Sequence, residues 1–431
     1  MTTPSRITSL TAWEALDSRG RPTVAAKLTL ASGASGLAMA PSGASAGSHE
    51  AFELRDGGSR YGGKGVLKAV ENIRSVIEPR LIGVELTDPA ALDLELARLD
   101  VSPGFSTLGA NAALAVSLAS HLAAAAQAGV SLARYLQPQG SLAIPMPMVN
   151  IVSGGAHAGR AIDIQDILVI PHRATTFAEA IEWCARVREA GTKLGLQRGL
   201  RGAQLDADEG GIGVQFESNT DALRFVVAAI EAARLQPGEQ VSLAIDVAAN
   251  ELAVGDAYRF ERERRVLDAA ELLDEIDGWT TQFPLISVED PLSEDSWAGW
   301  RDGTARMGGR VQIVGDDHFV TNATRLTRGI AEKSANAILV KVNQNGLVSG
   351  SHAVLEQAKV AGFNTVVSAR SGETEQSWLV DLAVGWRANQ IKVGSTHRSE
   401  RTAKWNRLLE LEATESTELS RFTLPKIRSG K

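Results

Sequence analysis

Val241-Ser-Leu-Ala-Ile-Asp246, Leu285-Ile-Ser-Val-Glu289, Val311-Gln-Ile-Val-Gly-Asp316, Ala337-Ile-Leu-Val-Lys341 and Gln390-Ile-Lys392 share one pattern: a short apolar run that ends on a single charged residue and is followed by turn residues. Between the fourth and fifth lies Asn364-Thr-Val-Val-Ser-Ala-Arg370-Ser371, of the same kind. The runs recur on the scale of one strand-plus-helix unit, roughly thirty residues, and amphipathic helical segments fill the gaps. This is the order expected of successive strands of a β/α barrel. In such a barrel the C-terminal ends of neighbouring strands converge on one site. Asp246, Glu289, Asp316, Lys341, Arg370 and Lys392 are therefore expected to share a pocket. Taken alone, a charged residue at a strand end is usually a turn or helix cap. Six at barrel spacing would need six independent caps of the right chemistry.

Working back toward the N-terminus, the Pro-bearing stretch Pro138 to Pro147 leads into the barrel. Residues 5–30 read as two antiparallel strands around the turn Asp17-Ser-Arg-Gly-Arg-Pro22, with alternation in Val24-Ala-Ala-Lys-Leu-Thr-Leu30. Helical periods follow in 64–82, 88–99 and 109–127. Strands followed by helices imply a small α+β domain over residues 1–136, with the barrel domain over 137–431. A chain of 431 residues has room for both. The segment from Ser416 onward reads as a surface extension.

Composition removes several function classes. The hydrophobic fraction of 44% with 22% charged residues is that of a globular protein, and the net charge of −7 argues against a nucleic-acid surface. An anionic substrate then needs local cations. The single cysteine, Cys184, excludes an internal disulfide framework, and the start MTTPSRITSL lacks the pattern of a secretory signal. The apolar stretch Leu114 to Leu136 is interrupted by Ser117, His121, Gln127 and Arg134, which suits a buried helix rather than a bilayer span. A cytoplasmic protein with no membrane role is expected. Three carboxylates on separate strands, with no cysteine and no paired histidines, form a hard all-oxygen ligand set that suits Mg²⁺. A divalent cation stabilises the charge that develops when a proton is taken from carbon beside a carboxylate. Lys341, among other cations, is expected to have a lowered pKa and to serve as the base.

Across nearly the whole chain these segments resemble the enolase family. The motifs include Asp17-Ser-Arg-Gly20, Ala40-Pro-Ser-Gly-Ala-Ser45, Phe52-Glu-Leu-Arg-Asp56, Pro145-Met-Pro-Met-Val-Asn150, Asp208-Glu-Gly-Gly211, Ser287-Val-Glu-Asp290, Leu339-Val-Lys-Val-Asn-Gln344, Arg370-Ser-Gly-Glu-Thr-Glu375 and Ile391-Lys-Val-Gly394. The resemblance implies a modified β/α barrel with an N-terminal α+β capping domain, assembled as a homodimer or a ring of dimers. It implies an enzyme with two Mg²⁺ per active site, the first held by Asp246, Glu289 and Asp316 and the second helped by Ser45. It also implies that Lys341 removes the C2 proton of 2-phosphoglycerate and that Glu209 assists loss of the C3 hydroxyl. Arg370 and Ser371 would hold the phosphate and Lys392 the carboxylate, with His157, Gln165 and Asp166 lining the pocket. A Lys or His base with one or two Mg²⁺ is the general pattern of enolase-superfamily sites.

Several positions depart from the family pattern. Ala369 stands where enolases carry a histidine before the Arg-Ser motif, and Asp166 stands in place of a glutamate after Gln165. Ile212-Gly-Val214 follows Asp-Glu-Gly-Gly where the family usually has an aromatic residue and then Ala-Pro, and Asn345 replaces an aliphatic residue. Two substrates stay open: 2-phosphoglycerate itself, or a phosphonate analogue as in the carboxyphosphonoenolpyruvate synthases. A non-catalytic enolase-fold binding protein is a third alternative, disfavoured because the clustered carboxylates would repel one another without their ions. Gly58-Ser-Arg-Tyr-Gly-Gly-Lys64-Gly65 nearly matches a phosphate-binding loop, but Gly65 stands where a hydroxyl is required, so it reads as a surface loop.

Overall fold

In the computed structural model, residues 5–43 and 47–425 are described. Three N-terminal strands, β1 (Ser5–Leu16), β2 (Pro22–Leu30) and β3 (Ser35–Met39), form an antiparallel meander, and the short β4 (Glu85–Leu86) pairs with the free edge of β1. In β1 the inward residues Ile7, Leu10 and Ala12 are buried, as expected for a sheet with one face on a core. That core is completed by α1 (Pro89–Leu99) and α2 (Ala110–Ala128). Asp88 caps α1 by accepting from the Ala90 amide, and Pro89 occupies the first turn, where its missing N–H costs nothing. Nearly all of α2 is buried. Its alanines let the helix lie close to the sheet, and at Gly36 the approach is extreme: a Cβ there would sit 2.0 Å from the Ala119 carbonyl oxygen.

The second part is a closed barrel of eight strands: β5 (Met146–Ser153), β6 (Asp166–Ile170), β7 (Ser242–Asp246), β8 (Leu285–Glu289), β9 (Gln312–Gly315), β10 (Ala337–Val340), β11 (Asn364–Ser368) and β12 (Gln390–Gly394). Its outer helices are α3 (Phe177–Gln197), α4 (Asn219–Ala232), α5 (Ala269–Gln282), α6 (Trp297–Met307), α7 (Ala323–Glu332), α8 (Val348–Ala361), α9 (Trp378–Gly385) and α10 (Ser399–Thr414). The six strands read from the sequence are consecutive in the barrel. The barrel is modified at β6, which runs antiparallel to both β5 and β7. Only the short loop 154–165 joins β5 to β6, with no crossover helix to carry the chain back, so the strand must return the opposite way. As a result Asp166, the first residue of β6, lies level with Asp246, the last of β7.

The tail also departs from expectation. Thr417–Leu419 pairs in parallel with Leu142–Ile144, and Leu419 and Phe422 pack on the barrel's interior cluster, which includes Met146, Met148, Leu168, Leu339 and Val366. Asn364 Nδ2 donates to the Thr423 carbonyl over 2.8 Å. The segment is a packed part of the barrel because its two apolar side chains have an interior to fill, a tertiary fact that a local reading cannot supply. Residues 57–64 form an exposed turn, as the sequence indicates. Among the described residues, no helix is long and apolar enough to cross a membrane.

The close contact of β3 with α2 gives a stability prediction. Gly36→Ala should destabilise the protein by about 1–3 kcal/mol, because the added methyl meets backbone atoms that cannot turn aside. Urea denaturation checks this; an unchanged midpoint would mean that the sheet and α2 are not so tightly apposed.

Candidate active site

Every strand from β7 to β12 delivers its charged residue to the same end of the barrel. A small, polar cleft opens there, lined by His157, Gln165, Glu209, Asp246, Asp316, Lys341, Ala369, Arg370, Ser371 and Lys392 among others. Glu289 lies beneath it, 1% exposed. Ser45 falls outside the described residues.

At the cleft floor, acids and amines interlock. Lys392 Nζ donates to Asp246 Oδ2 at 2.7 Å and to Glu289 Oε2 at 2.8 Å. Lys341 Nζ donates to Asp316 Oδ2, whose other oxygen accepts from Gln344 Nε2 at 2.8 Å. Gln165 Nε2 donates to Asp246 Oδ2 at 3.0 Å. The neighbouring Asp290 accepts the amides of Asp316 and Asp317 at 2.9 and 2.8 Å, one on each carboxylate oxygen, and so fixes the turn that carries Asp316.

These pairs do not balance the charge. Burial raises the Glu289 carboxyl well above the usual range, and the nearby Asp246 adds to the effect. Burial acts likewise on Asp317, pushed up to about 7 with a further contribution from Asp316. Burial also opposes ionisation of Asp246, but its contact with Lys392 outweighs this and holds its pKa below the usual value. Glu289 Oε1 is buried with no hydrogen-bond partner. An orphaned carboxylate oxygen amid excess negative charge, in a donor set made only of oxygens, is the environment a hard divalent cation fits. Carboxylate oxygens of Asp290, Asp316 and Asp317 lie within 4.8 Å of one another, whereas Lys392 clasps Asp246 and Glu289.

The expectation of a lowered pKa for Lys341 does not hold in this state. Burial disfavours its charge, but the Asp316 carboxylate beside it more than compensates, so the amine is held above its ordinary value. The sequence places cations nearby but does not reveal that the closest neighbour is an acid.

A second group lies beside the first. His157 Nδ1 bonds Asp166 Oδ2 at 2.9 Å, and its Nε2 is 3.8 Å from Glu209 Oε1. Burial works against the imidazolium, yet Asp166 and Glu209 together raise its pKa to about 9. Glu209 is held below the usual range: burial opposes its charge, but His157 and the surrounding cations prevail. The proton of this pair therefore rests on His157. Gly210 at φ +82°, where a Cβ would lie 2.7 Å from the His397 carbonyl oxygen, allows the tight turn that presents Glu209.

Arg370 donates to both oxygens of Glu50, at 2.9 and 3.2 Å, and to Asn343 Oδ1 at 3.1 Å. Ser371 Oγ accepts from Arg19 NH1 at 3.1 Å, and Arg19 is held in turn by Asp17 at 3.0 Å. The turn Asp17–Pro22, read from sequence only as a hairpin, thus reaches the cleft from the other domain. Glu50, Arg19, Asn343 and Asp290 were not among the expected site residues. Asp17-Ser-Arg-Gly20 and Ser287-Val-Glu-Asp290 lay within the quoted motifs, so the signal was present for Arg19 and Asp290.

With this geometry in place the comparison with known families is direct. Residues 7–136 match the enolase N-terminal domain, and residues 141–423 match the enolase C-terminal TIM barrel domain. The chain belongs to the enolase family and has its two-domain fold, which supports a lyase-type function of the enolase superfamily. Enolases typically use Mg²⁺, and acidic groups able to bind a metal are present in the cleft.

The His157 clamp sets a pH dependence. An unpaired imidazole titrates near 6.5 and the folded one near 9, so its stabilising contribution is complete below about pH 6.5 and fades as the pH rises toward 9. Asp166→Asn should flatten that part of the stability curve and lower the His157 pKa, observable as the imidazole chemical shift. An unshifted titration in the variant would rule out the clamp.

Proposed function

We propose that the protein is a Mg²⁺-dependent lyase that takes the C2 proton of 2-phosphoglycerate, or of a close phosphonate analogue, and eliminates the C3 hydroxyl. The observation that carries this reading is the convergence, in one cleft, of an amine (Lys341), a carboxylate (Glu209), a guanidinium with a hydroxyl (Arg370 and Ser371) and a set of buried acids. Arg370 and Ser371 would hold the phosphorus group and Lys392 the substrate carboxylate. Asp246, Glu289 and Asp316 would hold one Mg²⁺, which when bound offsets the negative charge that forms on the substrate carboxylate.

Lys341 must be neutral to act as base. Its attraction to Asp316, with a smaller one to Glu289, is what keeps the proton in the ion-free state, and neutralising both carboxylates leaves burial, Arg370 and Lys392, all of which disfavour the charge on Lys341. The amine then accepts the C2 proton, and the electrons of the C–H bond are left on the substrate. They return as the C2–C3 double bond when the C3–O bond breaks. The hydroxyl leaves as water with a proton from the Glu209–His157 pair. That pair, with the proton stored on the imidazole, suits donation to a departing oxygen.

This assignment predicts separable defects. Lys341→Ala should abolish C2 proton exchange, as should excess chelator with the wild-type protein, whereas Glu209→Gln should retain some exchange and block elimination. Exchange at the normal rate in Lys341→Ala would mean another base.

One feature favours the phosphonate branch of the same chemistry. Ala369 lines the cleft beside Arg370, and Asp166 is the shorter acid that holds His157. Both side chains are smaller than those of the family pattern, and we read the difference as room for a bulkier substituent, as in carboxyphosphonoenolpyruvate synthases. Weak turnover of 2-phosphoglycerate is expected, and Ala369→His with Asp166→Glu should raise it by about tenfold or more, since a positioned proton-transfer group is typically worth that much or more. Near-normal turnover by the unmodified protein would leave an ordinary enolase.

A further inference from the structure

The first turns of α10 carry Arg398-Ser-Glu-Arg401-Thr-Ala-Lys404, and Arg401 and Lys404 lie three residues apart on one helix face. Both are fully buried, an uncommon location for such residues. Neither touches the cleft, yet both point at the loop behind it. Arg401 NH1 donates to the carbonyls of Arg370 and Val393 at 2.8 and 3.0 Å, and its NH2 donates to the carbonyl of Ser371 at 2.5 Å. Lys404 Nζ donates to the Thr374 carbonyl and pairs with Glu373 Oε2 at 3.1 Å. The other oxygen of Glu373 accepts the amide of Arg370 at 3.1 Å. The backbone of Arg370 is thus gripped at its carbonyl by one residue of the helix and at its amide, through Glu373, by the other. Gly394, where a Cβ would lie 3.1 Å from Arg401 Cδ, leaves the guanidinium its path.

A loop of this kind could have been held by ordinary backbone pairing. Two buried cations are a demanding alternative, since a buried charge is costly unless it is paired and hydrogen-bonded; Arg401 meets this through NH1 and NH2, while its Nε makes no hydrogen bond and lies 3.5 Å from Glu400 Oε1. A fork that fixes two successive carbonyls also fixes the direction in which the two side chains leave the backbone. We propose that Arg401, braced by Lys404 and Glu373, is a positioning residue for the anion clamp, setting Arg370 and Ser371 at the spacing that a phosphoryl or phosphonyl group requires. This rests on the reading of those two residues as the clamp.

The test uses the full-length protein with Mg²⁺, inorganic phosphate as the probe of the clamp, and C2 proton exchange on 2-phosphoglycerate as the kinetic readout. Arg401→Met should weaken phosphate binding, measured by calorimetry, and raise KM by about tenfold or more, because small misplacements of binding groups are costly. Its kcat for exchange should change by less than about threefold, since Lys341 belongs to a different strand. Arg401→Lys should fall between wild type and Arg401→Met, keeping the charge but losing the fork. A folded Arg401→Met that binds phosphate as tightly as wild type, or loses kcat with KM unchanged, overturns the proposal. If Arg401→Met does not fold, wild-type phosphate affinity in Arg401→Lys does the same. Arg370→Met is the control: phosphate affinity unchanged in that variant removes the clamp reading, and with it this proposal. Phosphate affinity lost in Arg370→Met but kept in the Arg401 variants refutes the brace alone.

Discussion

Like charges held together at the mouth of the barrel are the constraint on which the rest of this structure depends. Asp246, Glu289 and Asp316 are fixed by the parallel register of β7, β8 and β9, so they cannot move apart to relieve their repulsion. Asp290 and Asp317 add to the charge. Lys392 and Lys341 offset part of it, while burial first and Asp246 next hold the Glu289 carboxyl well above its usual range. A site of this kind is stable only with protons or cations in it, and the amine that pairs with Asp316 is also the group proposed as the base. On that proposal, binding an ion and freeing a base are one electrostatic event.

The reversed strand β6 adds the second element. Because it runs antiparallel, its first residue instead of its last lies at the cleft end, and Asp166 meets His157 there. The imidazole bridges Asp166 and Glu209. The smaller domain closes the third side: Arg19 reaches Ser371 and Glu50 engages Arg370, so these two barrel residues are held by side chains from the first fifty residues.

Much of this was legible in the sequence because strand-end residues obey local rules. An apolar run followed by one charge marks both the strand and its functional end, and six such runs define the order β7 to β12. What was hidden depends on long-range geometry. The reversal of β6 shows only in the lack of a helix between Ser153 and Asp166, a negative signal that is easily passed over. The packed tail could not be read because Leu419 and Phe422 are unremarkable until the barrel interior is present to receive them. Glu50 and Asn343 lie in quoted or adjacent motifs, but nothing local indicates that they converge on Arg370. The raised pKa of Lys341 in the ion-free site is equally non-local, since its closest neighbour, Asp316, is set by the placing of two adjacent strands.

The central claim is that the buried acids need an ion. Calorimetric titration of Mg²⁺ into the substrate-free protein, compared with Glu289→Gln, tests it most directly. The variant keeps the shape of the side chain but removes the charge of the carboxylate whose Oε1 has no hydrogen-bond partner. Saturable binding in the wild type and its loss in Glu289→Gln are expected; equal affinity in the two proteins, or no binding by the wild type, would contradict it.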